Sequence, residues 1–160
     1  MDRILTRAGH GVRLRRTESA DLDWVLATEG DPENRPYVTQ WSRREHESAL
    51  DHPDTSHRIV ETVADVRSVG YVILAGLSSP GEAVELRRIV ITDKGRGYGH
   101  ETLRLIKTIA LDELRTRRLW LDVRTNNPKA KRLYEVEGFV AESTSEDGLI
   151  ILSIRREDTP

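Results

Sequence analysis

Apolar and charged residues alternate along Val12-Arg13-Leu14-Arg15, the two-residue period of a half-buried strand. From Ala20 to Thr28 the period lengthens. Leu22, Val25 and Leu26 fall on one side of a helix that Gly30-Asp31-Pro32 should end. Glu33 to Trp41, with Pro36, Tyr37 and Trp41, carries no period and reads as irregular loop. Ser42-Arg43-Arg44-Glu45 fits a capping box, in which the serine oxygen accepts the Glu45 backbone N–H and the glutamate accepts the Ser42 N–H. A second helix should then run to about Asp51, before Pro53. Two strands follow, roughly Arg58 to Ala64 and Val69 to Leu77. The polar turn Asp65-Val66-Arg67-Ser68 between them predicts an antiparallel hairpin. Ser78-Ser79-Pro80-Gly81 is a second turn, and Ala83 to Ile91 another strand.

The second half changes order. Leu103, Ile106, Ala110 and Leu114 mark one face of a helix from about Gly99 to Arg115. Leu119, Leu121 and Val123 alternate as a strand, and a further helix spans about Pro128 to Glu137. Closing strands near Phe139 to Ser145 and Leu149 to Arg155 are joined by the tight-turn sequence Glu146-Asp147-Gly148. A strand–helix–strand unit needs a crossover, so its strands should be parallel and right-handedly connected. The expected fold is of the α/β class with α+β character: one mixed, mostly antiparallel sheet of about seven strands, a central parallel pair, and about four helices on its faces.

Composition narrows the function. A chain of 160 residues suits one domain, residues 1–160, with a sizeable core. A net charge of -2 and a single Phe supply neither a basic face nor a stacking platform, so no nucleic-acid partner is expected. The basic run Arg115-Thr116-Arg117-Arg118 follows a helix C-terminus, where cations suit the dipole. The absence of cysteine excludes disulfides, thiolate zinc sites and a cysteine nucleophile. The histidines at 10, 46, 52, 57 and 100 show no tight ligand spacing, so no metal is expected. The start Met1-Asp2-Arg3-Ile4-Leu5-Thr6-Arg7 has no apolar leader stretch and no run has membrane-helix length. The expectation is therefore no membrane and a cytoplasmic location.

The candidate chemistry lies in Lys94-Gly95-Arg96-Gly97-Tyr98-Gly99, between a strand and a helix. Glycines remove side chains and permit unusual backbone angles, so backbone N–H groups can point at an anion at the positive end of the helix dipole. Lys94 and Arg96 add charge, and the physical reading is a diphosphate site. The alternative is a glycine loop with no ligand. The dinucleotide fingerprint fails, since its third glycine would fall at His100 or Thr102, and no Gly-Lys-Ser/Thr completes a P-loop.

With Asn127-Pro128-Lys129-Ala130-Lys131-Arg132-Leu133-Tyr134 and Gly138-Phe139 added, the chain resembles the GNAT superfamily of acetyl-CoA-dependent N-acetyltransferases. The family's pyrophosphate motif is Arg/Gln-x-x-Gly-x-Gly/Ala, and its second motif Asn-x-x-Ala-x-x-Leu-Tyr followed by Gly-Phe. The resemblance is strongest from Glu85 to Phe139. It departs at Lys94, where lysine keeps the charge but not the planar fork.

The resemblance implies acetyl-CoA as cosubstrate and an amine acceptor attacking directly, with no covalent acyl-enzyme. It implies a cofactor site built from Ile89, Val90, Ile91, Lys94, Gly95, Arg96, Gly97, Tyr98, Gly99, His100, Asn127 and Tyr134, with the strand Ile89-Val90-Ile91 binding pantetheine in a gap between splayed strands. It implies Tyr134 as general acid, the alternative being a packed ring, and Glu85 as base, the alternative being a surface carboxylate paired with Arg87 or Arg124. Asp122 is a second base candidate. His100 would contact the phosphate side, and Asn127 would touch pantetheine or cap the next helix. The acceptor pocket would involve the loop carrying Glu29, Asp31, Glu33, Arg35, Tyr37 and Trp41; otherwise that loop is solvated, with two core aromatics. A homodimer fits the exposed strand edges. Two other readings stay open: a non-catalytic acyl-CoA-binding module, and transfer of a longer acyl chain set by the pocket near Leu86 to Ile89.

Overall fold

The predicted hairpin is present with shifted ends, as strands Thr55–Thr62 (β3) and Ser68–Ala75 (β4). In the computed structural model, which describes residues 7–8 and 11–156, all seven expected strands form, and an eighth piece, Arg7–Ala8 (β1), pairs with Val12–Arg16 (β2). The amino-terminal leader reading and His10 lie outside the described residues. The other strands are Val84–Ile91 (β5), Arg118–Arg124 (β6), Val140–Thr144 (β7) and Leu149–Arg155 (β8). The sheet runs β1-β2-β3-β4-β5-β6-β8-β7, and among the described residues only β5 and β6 pair in parallel.

The helices are Leu22–Gly30 (α1), Arg43–Asp51 (α2), Tyr98–Lys107 (α3) and Pro128–Val136 (α4). None of the described helices is long and apolar enough to cross a membrane. The capping box of α2 is as expected: Glu45 N donates to Ser42 Oγ at 3.2 Å, and Ser42 N to Glu45 Oε1 at 3.1 Å. The single helix expected from Gly99 to Arg115 is instead α3 followed by a wider turn at Thr108–Glu113, with Leu114 N bonded to Ile109 O.

Each sheet face has its own core. Leu14, Val72, Leu86, Leu103, Ile106, Leu121 and Tyr134 belong to the larger cluster, on the α3 and α4 side. Leu22, Val25, Ile59, Tyr71, Ile73 and Val90 form the smaller one beneath α1 and α2. β4 is covered on both faces, which is why its sequence reads as an unbroken apolar run.

Two irregularities position the site. β5 meets β6 only at Val84↔Leu119 and Glu85↔Trp120. Beyond that point β5 follows β4, while β6 follows β8 along its whole length, and the two strands part. The β4–β5 register also slips, from Ile73↔Arg88 to Leu74↔Leu86, leaving Arg87 as an extra residue. Such a bulge resets the alternation. Leu86, Ile89 and Ile91 belong to or pack on the larger core, and Arg88 and Val90 turn toward α1 and α2.

Candidate active site

The parting of β5 and β6 opens a cleft of about 1580 Å³, walled by Leu86–Ile91 on one side and Leu121–Thr125 on the other. The glycine loop stands at one end and the loop around Pro36 to Thr39 beside it. Its volume exceeds the usual range of a small-ligand pocket, about 300–1,000 Å³, so it has room for an extended cosubstrate and a second molecule.

The glycine loop has the backbone that the sequence called for. Gly95 and Gly97 both have φ of +81°, and a Cβ on either would meet nothing within 4 Å. The positive φ explains why glycine is needed, and the empty space shows that packing does not. Gly97 is the N-cap of α3, so the unpaired N–H groups of that helix point into the loop. Gly99 differs. A Cβ there would lie 3.2 Å from Leu133 Cδ2, so this glycine lets α4 approach α3.

Lys94, Tyr98, His100, Ile89, Val90, Ile91 and Asn127 also line the cleft. Lys94 Nζ reaches across to Glu33 O at 3.3 Å. Arg96 does not line it; its guanidinium is largely exposed and lies 3.2 Å from Asp93. His100 Nδ1 is 2.8 Å from Glu137 Oε2. Glu137 also accepts from Arg104, so this pair ties α3 to the end of α4. Asn127 caps α4, its Oδ1 accepting from Ala130 N at 3.3 Å, while still facing the cleft.

Tyr134 is buried at its ring, which meets Phe139 edge-on at 5.9 Å, yet it borders the cleft. Its hydroxyl makes no hydrogen bond among the described residues. Burial, with the nearby Asp122 carboxylate, pushes that hydroxyl above its ordinary pKa. It is thus a protonated donor at neutral pH. Asp122 is exposed on β6, lines the same cleft and has no ion-pair partner among the described residues. The structure does not bring Glu85 to this place. Glu85 lies where β5 and β6 are still paired, 3.1 Å from Arg87, and does not line the cleft.

One constellation has no sequence signal. Glu29, 1% exposed, accepts at Oε1 from Tyr71 (2.9 Å), Arg88 Nη1 (2.7 Å) and the His46 ring (3.0 Å), and at Oε2 from Trp41 N (2.8 Å). Burial alone would raise its pKa, but the bonds from His46, Trp41 and Tyr71 outweigh it and hold Glu29 below the ordinary value. His46 continues to His57 at 3.1 Å, and His57 to Thr17 Oγ1 at 2.8 Å. Burial, with His46 and Arg88 nearby, lowers His57 to about 3, so its ring is neutral. Arg88 carries the network to the cleft wall, its guanidinium stacked 4.3 Å from the Trp41 ring centroid. Trp41 was legible as a loop aromatic and Glu29 as a loop carboxylate; their meeting with Arg88 was not.

A profile of the acetyltransferase (GNAT) domain matches residues 12–140. No curated protein sequence matches the chain. Among solved structures, spermidine N-acetyltransferase from Vibrio cholerae, in complex with CoA and spermine, superposes with a TM-score of 0.78 at 22% identity over 90% of this chain and 95% of that one. A GNAT-family acetyltransferase from Bacillus anthracis gives 0.79 at 14% identity, over 94% and 98%. A domain from Methanocaldococcus jannaschii gives 0.75 at 18% identity, over 92% and 100%. At these identities the superpositions establish the fold, and the profile, spanning most of the sequence, establishes membership: the chain belongs to the GNAT acetyltransferase family.

Proposed function

We propose that this protein transfers an acetyl group from acetyl-CoA to an amine by direct attack. The observation that carries this is one cleft onto which both the Gly95–Gly97 loop and the Tyr134 hydroxyl open. Acetyl-CoA supplies the activated acyl group as a thioester. The loop amides and the α3 N-terminus bind its pyrophosphate. Past Glu85, the β5 edge facing the gap no longer pairs with β6, and its backbone groups at Ile89-Val90-Ile91 suit an extended pantetheine arm. Tyr134 donates its proton to the departing thiolate. The proton lost by the amine goes to Asp122 rather than Glu85, because Asp122 shares the cleft with Tyr134 and Glu85 is paired with Arg87.

Calorimetric titration with acetyl-CoA, with ATP and NAD as controls, tests the cosubstrate. Release of CoA thiol across an amine panel tests the transfer; spermine in the V. cholerae neighbour puts polyamines on that panel. Selective acetyl-CoA binding with amine-dependent thiol release is expected. Binding without turnover on any amine would favour the acyl-CoA-binding module, and a preference for longer acyl-CoAs the longer-chain transfer. Asp122→Asn should lower turnover by about 10²–10⁴ with acetyl-CoA affinity unchanged, and wild-type turnover would remove Asp122 as base.

A further inference from the structure

Residues of both sheet faces line the cleft, and the two sides differ. The glycine loop and Tyr134 lie on the α3 and α4 side, with the larger core. On β6, Leu121 and Val123 face that core, so Asp122 faces the opposite side. Arg88 faces that opposite side too, through Glu29 of α1 and Trp41 just before α2. An acceptor meeting the thioester from the side away from the glycine loop would pass Arg88 and Asp122.

Three arginines of β5 and β6 line the cleft, and they are not equivalent. Arg87 is committed to Glu85. Arg124 donates to Pro36 O at 3.2 Å and Thr39 Oγ1 at 2.9 Å, tying down the neighbouring loop. Arg88 donates through Nη1 to Glu29 and is also in hydrogen-bonding contact with the Tyr71 hydroxyl, and it bonds to no other described residue. Its other donors are not enclosed and unsatisfied, although the side chain is only 8% exposed. The edge away from Glu29, Nε–H with Nη2–H, is the fork that pairs with a carboxylate through two parallel bonds.

The surroundings hold that fork still. Glu29 is saturated by four donors, so it cannot swing away, and Trp41 blocks one face of the guanidinium. Burying an ion pair is seldom the most stable way to fill such a space. The same face holds Ile73, Val90 and Tyr71, and there Arg88 balances the buried Glu29 carboxylate with one edge of its guanidinium. A guanidinium buried, clamped on one edge and open on the other is a recognition element.

We propose that the acceptor is an amine that also carries a carboxylate, that Arg88 binds that carboxylate through its Nε/Nη2 edge, and that Glu29 and Trp41 are the positioning residues for Arg88. This rests on the acetyl-transfer reading above. It predicts amino-acid-like substrates over polyamines, whose second cationic group would meet the Arg88 guanidinium.

The test uses matched pairs: α-amino acids, β-alanine and 4-aminobutyrate, each against its amide, with spermidine and putrescine alongside. Acetyl-CoA affinity is first measured by calorimetry, so a failure of cosubstrate binding, which sinks the transfer reading, is seen separately. Direct calorimetric binding of the amines and of their N-acetylated forms, without acetyl-CoA, keeps the carboxylate claim testable in that case. The carboxylate member of at least one pair should be preferred roughly 10- to 100-fold in kcat/KM, or in Kd, over its amide. Arg88→Lys, which keeps the charge but lacks the fork, should raise KM for that substrate with acetyl-CoA affinity unchanged. The double variant Glu29→Gln/Arg88→Gln, which leaves no buried unpaired charge, should abolish the preference in a chain that still folds. Equal use of amides and acids, a preference for polyamines, or loss of acetyl-CoA affinity in Arg88→Lys would each overturn the assignment.

Discussion

The two sheet faces that meet at the cleft are built by different means. On the α3 and α4 side the site comes from neighbours in sequence: two positive-φ glycines open a helix, and Tyr134 follows its own cap at Asn127 by two turns. On the α1 and α2 side the site is a network of distant residues, with Glu29 bonded to His46, 17 positions on, and to Arg88, 59 positions on. The first face presents backbone at two positive-φ glycines and little else, as the proposed pyrophosphate site requires. The second holds clamped side chains, the basis of the acceptor selectivity proposed above. A fold can keep the first and vary the second, because the apolar cores beneath them are separate.

The sharpest way to break the comparison is at Tyr134. Tyr134→Phe should lower turnover by about 10²–10⁴ with folding intact, the usual range for a general acid. Wild-type turnover would reduce the residue to packing against Phe139. Next, Glu29→Leu should destabilise the protein by roughly 3–5 kcal/mol, because Arg88 would be left buried without its partner; a chemical-denaturation curve reads this. An unchanged midpoint would mean the network does not hold the second face together.

Smaller effects sharpen the contrast. Gly97→Val forces a β-branched residue to φ near +81°. At about 1–2 kcal/mol for an L-residue in that region, acetyl-CoA affinity should weaken roughly 5- to 30-fold while Tyr134 is untouched; equal calorimetric affinities would detach the loop from the cosubstrate. His57 gives the last test. Its folded pKa, about 3, is depressed below the unfolded value near 6.5, so it adds stability above pH 6.5 that is lost as pH falls toward 3. In that window the unfolded chain binds the extra proton. The slope attributable to this group is at most about 1.4 kcal/mol per pH unit. His57→Gln should flatten the fall in melting temperature between those limits, and an identical slope would place the acid sensitivity elsewhere.

Much of the architecture was legible. The period change from strand to helix, the capping box at Ser42 and the turn at Gly148 are local signals, and the structure carries all of them. The errors are local too. β3 begins at Thr55, not Arg58, because pairing with Ala75 of β4 extends it through polar residues that show no strand period. The wide turn at Thr108–Glu113 interrupts a stretch whose apolar spacing reads as one helix. Ile89 to Ile91 and the loop glycines line the cleft, and Glu85 does not. Its place depends on how far β5 and β6 stay paired, and no residue announces that distance.

The order of elements, the loop glycines with positive φ and the helix that carries Tyr134 all follow from local sequence. These depend on backbone preferences and on apolar spacing within a few residues. That Asp122 rather than Glu85 shares the cleft with Tyr134 follows from long-range strand pairing. It alone decided that a bulge at Arg87 turns Arg88 onto Glu29. Strand separation and bulge phase are set by pairing between segments far apart in the chain, so the Glu29–Arg88 network existed only once those segments met.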